Sequence, residues 1–245
     1  MIPRPRFRRR QRRITEENIV LELDGREIPL RVRRHPRARR LTLRIDRTGR
    51  GVVITIPSGT DLSEGLEFAH RQSGWLLDRL EKSAPPILVD DGTTVPFLDS
   101  PHRIRHAPGR RGVVTRRNGE IHVSGRPEHL KRRLFDWLKQ EARRKLGDAS
   151  REKAAIIGKT VGRVSVRDTR SRWGSCSAAG NLSFCWRLIL APEFVLDYVA
   201  AHEVAHLAEK NHGPRFWKLV GDLTADADRA RAWLRVHGED LHRYM

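Results

Sequence analysis

Three histidines and one glutamate within a short stretch, His202, Glu203, His206 and His212 in VLDYVAAHEVAHLAEKNHGPRFW, are the side chains of this sequence whose types and spacing can do chemistry. At 3.6 residues per turn, His202 and His206 stand about 40° apart on one helix face, so one metal ion can touch both. Glu203 projects beside that ion without having to bind it, which is where a base for a metal-activated water is needed. A tetrahedral catalytic zinc keeps one position open and wants a third protein ligand, for which His212 is the candidate. On a continuous helix His212 would point well away from the pair, so the chain must leave the helix first. Asn211, Gly213 and Pro214 are the expected break, because Asn tolerates left-handed backbone, Gly is permissive and Pro cannot continue a helix. The chemistry expected is amide hydrolysis. Zinc brings the pKa of its water down to roughly 7, and Glu203 takes the proton as that water attacks a carbonyl, then passes it to the leaving amine.

A second constellation precedes the helix. In SRWGSCSAAGNLSF the residues Arg172, Trp173, Gly174 and Ser175 are candidate substrate contacts, with Ser171–Ser177 as a strand that lines the cleft and pairs with an extended peptide. Arg172 can anchor substrate or stabilise a developing oxyanion. Trp173 serves equally well as a core aromatic. Cys176 and Cys185 flank Gly180-Asn181, and a two-residue turn there makes them cross-strand neighbours, expected as buried reduced thiols. Phe216, Trp217 and Trp233 are expected to pack under the metal helix. His237, His242 and Tyr244 are further possible donors, and Asp168 and Asp197 are the carboxylates proposed to orient an imidazole, between which the sequence does not choose.

These residues need elements to hold them. The apolar residues of VLELDGREIPLRV alternate around Asp24-Gly25, which predicts a hairpin, and LTLRI and VVITIP, with Gly49 and Gly51 between them, complete a small antiparallel sheet over residues 19–57. An amphipathic helix over Asp61–Lys82 is interrupted at Gly74. Strands resume at Thr94–Phe97, His102–His106 and Val113–Thr115, with Asn118-Gly119 as a type I′ turn. EHLKRRLFDWLKQEARRKL is a long helix running on to about Gly158, with Leu130, Leu134, Trp137, Leu138 and Leu146 on one stripe. Two strands are expected in WGSCSAAGNLSFCWRLIL, then the site helix after Pro192, then FWKLVGDL and a last helix ADRARAWLRVHG that turns Ala230, Trp233 and Leu234 inward. No internal repeat is visible. The fold class is α+β: a catalytic region with its helix packed on an antiparallel-containing sheet, preceded by a sheet-rich N-terminal half. The expected divisions are a basic disordered tail at 1–13, a sheet-rich region at 14–125 and a catalytic region at 126–245, with 14–245 as one continuous domain the alternative.

The motifs resemble the YgjP-like zinc metallopeptidase family, a zincin group related to the SprT-like and WLM proteases. The likeness covers roughly residues 30–243 and is most specific at SRWGSCS and HEVAH…NH…FW. It implies zinc on His202, His206 and His212 with Glu203 catalytic. Gluzincins take a glutamate from a later helix instead, for which Glu239 can be proposed, but His212 fits the family pattern better.

Bulk properties bound the rest. Two cysteines in 245 residues make no disulfide framework, and 38% hydrophobic residues are enough for a core without one. The segment MIPRPRFRRRQRR is followed by no apolar stretch of a signal peptide, and no run of 18 apolar residues exists, so a cytoplasmic protein without membrane spans is expected. A net charge of +19 attracts phosphate polymers without reading them. The expected partner is a protein or peptide substrate, with nonspecific nucleic acid on the basic surface possible. The alternative function is a nucleic-acid-associated protein or DNA-linked protease with zinc structural or accessory. Substrate preference and oligomeric state are not legible.

Overall fold

The computed structural model describes residues 14–46, 51–81, 85–109 and 113–245. The basic tail at 1–13, Gly49 and Lys82 lie outside the described residues. The chain divides into two compact units, Met1–Pro86 and Ile87–Met245.

In the first unit, β1 (Thr15–Leu23) and β2 (Arg26–His35) form the hairpin expected at Asp24-Gly25, both of whose turn residues have positive φ as a type I′ turn demands. β3 (Thr42–Ile45) and β4 (Val52–Pro57) follow, but the sheet is mixed rather than antiparallel. Its order is β1-β2-β4-β3, with β2 and β4 parallel. A parallel pair needs a crossover, and β3 lies on the far side of β4 to provide it. The expected helix is two, α1 (Leu62–Arg71) and α2 (Ser73–Glu81), broken at Gln72 just ahead of Gly74. Alternating β-strand positions Leu21, Leu23, Leu30, Val32, Ile54 and Ile56 are buried with Ala69 and Leu76 of the helices. α1 lies so close to the sheet that a Cβ on Gly65 would come within 2.7 Å of Ile56 Cδ1.

The second unit opens with β5 (Thr94–Phe97), β6 (Ser100–His106), β7 (Val114–Arg117) and β8 (Glu120–Val123). Their order is β5-β6-β8-β7, with β6 and β8 parallel. This repeats the topology of the first sheet, although the sequence shows no repeat. α3 (Leu130–Ile156) buries every fourth residue from Leu130 to Leu146. The three-stranded sheet β10-β11-β9 comes next, from β9 (Val164–Arg167), β10 (Gly174–Cys176) and β11 (Leu182–Cys185), so β10 is an edge strand. WRLIL continues as a 3-10 helix, Trp186–Leu190, rather than as strand. α4 (Glu193–Ala205), α5 (Pro214–Leu223) and α6 (Ala227–His237) complete the unit. Val95, Ile104 and Ile121 of the second sheet share one core with Leu134, Leu138, Val199 and Phe216, so that sheet belongs to the unit that bears the site. The architecture is α+β, and among the described residues no helix is long and apolar enough to cross a membrane.

Candidate metal centre

α4 is buried nearly all round: Val195, Leu196, Tyr198, Val199, Ala200, Ala201, Val204 and Ala205 are buried, as befits a helix in the middle of a core. Its partly exposed positions at the last turn are His202 and His206. The helix ends at His206 itself, where Leu207 N–H donates to Val204 O and Ala208 N–H to Ala205 O in tightened i→i+3 turns. The break therefore comes five residues ahead of Asn211, which has no left-handed backbone. Gly213 and Pro214 do another job, since they start α5 with an extended residue and then proline at the first helical position.

That early exit brings His212 back. Its Nε2 lies 3.1 Å from His202 Nε2, and one ligand nitrogen from each of His202, His206 and His212 lies within 4.8 Å of the others. Nitrogens around a tetrahedral zinc at ordinary bond lengths stand about 3.3 Å apart, so the cluster is near the size such an ion requires. The second ring nitrogen supports the same orientation in one case: His206 Nδ1 sits 3.1 Å from Glu209 O, which leaves Nε2 for a metal. His202 Nδ1 is buried with no hydrogen-bond partner among the described residues. Burial pushes His202 down to about 4, with His206 and His212 adding to the effect, so the imidazole is in its neutral, ligating form near pH 7. Burial lowers His206 as well. Phe216, fully buried, sits beneath all three rings at 4.9, 4.6 and 4.6 Å, which accounts for the aromatic after the motif. Trp217 does not join it in the core and is 37% exposed, 5.7 Å from His212.

Glu203 is 5% exposed, and burial pushes its carboxyl up to about 7, with the Arg172 charge pulling the other way. It faces β10. A Cβ on Gly174 would come within 2.5 Å of Glu203 Oε1, so the glycine of WGSC is what lets the strand and the carboxylate lie together. Ser175 pairs with Ser183 of β11, and Arg172 is exposed. Trp173 is half-buried and stacks on His242 with ring centroids 5.3 Å apart. The structure thus brings the WGSC segment against the motif helix, and its His242 backing was not derivable from spacing. Tyr198 was also missed: it is 7% exposed and edge-on to His202 at 5.9 Å, one turn before it on the helix, a spacing that sequence alone can supply.

Several sequence candidates lie elsewhere. Asp168 is ion-paired with Arg187, and Asp197 with Lys153 at 2.7 Å. Glu239 is outside the histidine cluster, and the His237 ring lies tilted against Trp233 with centroids 5.1 Å apart. Tyr244 bridges Ile87. Cys176 lies opposite Leu182, while Cys185 N–H bonds Trp173 O, so the two thiols are not cross-strand neighbours. The turn spans Ser177 to Asn181 rather than two residues, and both cysteines are free.

The family model for the YgjP-like metallopeptidase domain matches residues 39–237. Among solved structures, the metallopeptidase zymogen abylysin of Pyrococcus abyssi is 22% identical over 41% of this chain and 98% of that one, with a TM-score of 0.34. No curated protein matches the sequence.

Proposed function

This chain belongs to the YgjP-like metallopeptidase family, and on that footing we propose that it hydrolyses peptide bonds with zinc held by His202, His206 and His212 and with Glu203 as the base. The observation that carries the reading is the cluster of three imidazole nitrogens within 4.8 Å, next in sequence to a buried carboxylate. Imidazole suits zinc among the available divalent ions, and three protein ligands leave the open position that catalysis needs. When bound, the metal supplies Lewis acidity, acidifying water and polarising a carbonyl.

The chain's own residues do the rest. Glu203, with a carboxyl near pH 7 in its affinity for a proton, accepts one from water and returns it to the leaving amine. Its burial by β10 and α4 holds the carboxylate in one place, so the proton transfer needs no search. β10 is an edge strand, and the outer edge of Gly174 and Ser175 can pair with an extended peptide. Arg172, exposed at the mouth of that strand, is the proposed anchor for a substrate carbonyl, and Trp173, stacked on His242, holds the strand's entry.

The test is elemental analysis together with cleavage of casein or a peptide library. About one zinc per chain is expected in the wild type. His206→Ala should lose both metal and turnover, His212→Ala should weaken metal binding, and Glu203→Gln should keep the metal and lose cleavage. Cleavage untouched by Glu203→Gln, or histidine variants with undiminished zinc, would sink the reading.

A further inference from the structure

Beside the histidines, α6 presents Asp228, Arg231, Ala232 and Arg235 around an open cavity of ≈ 340 Å³. These positions fall at i, i+3, i+4 and i+7, so they share one helix face. Arg231 links the cavity to the metal centre. Its guanidinium lies 4.8 Å over the Trp217 ring, and that ring stands 5.7 Å from His212 and 5.9 Å from His202. Phe216 is fully buried beneath the same histidines, whereas Trp217 is 37% exposed and offers a face between them and the cavity.

Three cations act on the groups of the metal centre, against the carboxylates of Glu203 and Asp228. Arg231 bears on His202 and Tyr198, Arg172 on Glu203, and Lys210 on His206 and Cys176. These three cations come from α6, from the segment before β10 and from the turn after α4, so no single arginine-rich helix accounts for them. Asp228 is the opposing charge at the cavity, paired with Arg231 at 3.3 Å. Its side chain is 97% exposed, and a solvated pair of this kind holds an arginine only weakly. A guanidinium keeps five N–H donors in a fork that fits a carboxylate side by side, and one contact to Asp228 leaves most of them open.

We propose that this cavity is a substrate subsite for a peptide carboxylate, which Arg231 and Arg235 bind while the peptide lies across Trp217 toward the histidines. The inference rests on the peptidase reading above and adds a substrate class to it: peptides with an acidic side chain, or their own C-terminal carboxylate, a residue or two from the cleaved bond. The span of the lining, two turns of helix or about 10 Å, holds one or two residues and not a long polyanion.

The test is a series of otherwise neutral peptides carrying Glu, Gln or Lys at one scanned position, each with a free or an amidated C-terminus. Wild type should cleave the carboxylate-bearing peptides at least about tenfold faster in kcat/KM than the Gln peptides, with Lys slowest. An effect confined to internal Glu assigns the side chain, and one confined to the free terminus assigns the C-terminal carboxylate. In Arg231→Glu/Arg235→Glu the order should reverse toward Lys, while Arg231→Gln and Arg235→Gln singly should flatten it. Equal rates across the series, or a preference that survives charge reversal, overturns the subsite. The same peptides, fluorescently labelled, are titrated onto Glu203→Gln protein. If no peptide is cleaved by wild type, the peptidase reading fails, yet tighter binding of Glu over Gln that Arg231→Glu removes still supports the subsite, and equal binding overturns it. A short single-stranded DNA that binds there more tightly than the Glu peptide, and does so through Arg231, assigns the cavity to nucleic acid and likewise overturns the proposal.

Discussion

Glu203 sets charge against its surroundings: it is a carboxyl with 5% exposure whose burial pushes it from 4.5 up to about 7. The folded chain therefore holds a proton that the unfolded chain has released between those two values. The contribution of this one carboxyl to the stability of the metal-free protein falls as pH rises through that window, since at this group the unfolded state binds fewer protons there. Glu203→Gln removes the titration without changing the side chain's shape. Compared with wild type, the metal-free variant should gain up to about 3 kcal/mol between pH 4 and pH 8, read as a difference in denaturant midpoints. A cation seated among the histidines favours the ionised carboxylate, so metal should shrink the gain. A difference independent of pH would mean that the carboxyl is not held dry. Gly174 belongs to the same contact. Gly174→Ala puts a methyl 2.5 Å from Oε1, and a displaced base of this kind should cost about 10²-fold in kcat with metal content retained. Of this site, the histidines and Glu203 were legible because a helix repeat and a metal's geometry constrain residue spacing. The Gly174 contact, the His242 stack and the pairing of Asp168 and Asp197 with basic residues arise between segments far apart in sequence, where no periodicity speaks.

At the scale of elements, Lys153 shows what fixes the motif helix in place. From α3 its Nζ reaches Asp197 on α4 at 2.7 Å and Leu223 O at the end of α5 at 2.8 Å. One ammonium thus ties together three helices, two of which adjoin the histidine cluster. The two ends of the ion pair differ in burial: the lysine side chain is 9% exposed and the aspartate 37%. Asp197→Ala leaves a buried charge with one carbonyl and should cost about 3 kcal/mol. Lys153→Met leaves an aspartate that water can reach and an apolar chain of similar length, and should cost about 1–2 kcal/mol. Chemical denaturation of the two variants checks that order, and an equal or reversed cost would show that the pair is solvated. Strands and helices were mostly legible here. Asp24-Gly25 and Asn118-Gly119 specify their hairpins through residues that accept positive φ, and α3 announces itself by its leucine stripe. The parallel pairings β2 with β4 and β6 with β8 were not, because a mixed sheet buries the same alternating face as an antiparallel one. The helix end at His206 is not legible for a related reason: tightened turns at Leu207 and Ala208 need no Gly or Pro, whereas Asn211 and Gly213 are the residue types that signal a break.

At the scale of the whole molecule, the chain builds two hydrophobic cores that share no residue, one around Leu30, Ile54 and Leu76 and the other around Leu134, Val199 and Phe216. Both begin with a four-stranded sheet of the same order, followed by helix, yet only the second goes on to carry the histidine cluster. Separate cores can melt separately, in which case a single unfolding free energy is not defined for the chain. Two calorimetric transitions are expected, the larger belonging to Ile87–Met245. A ligand stabilises only the state that binds it, so zinc at about 100 times its dissociation constant should raise the larger transition by about 2.7 kcal/mol and leave the smaller where it was. Fluorescence can assign them, because Trp75 is the first unit's tryptophan and the other five of the chain's six lie beyond Pro86. Trp75→Phe should silence the metal-independent transition and spare the metal-dependent one. One transition that moves as a whole with metal would mean that the two cores unfold as a single cooperative body, and that the first unit contributes stability to the site without contributing a ligand.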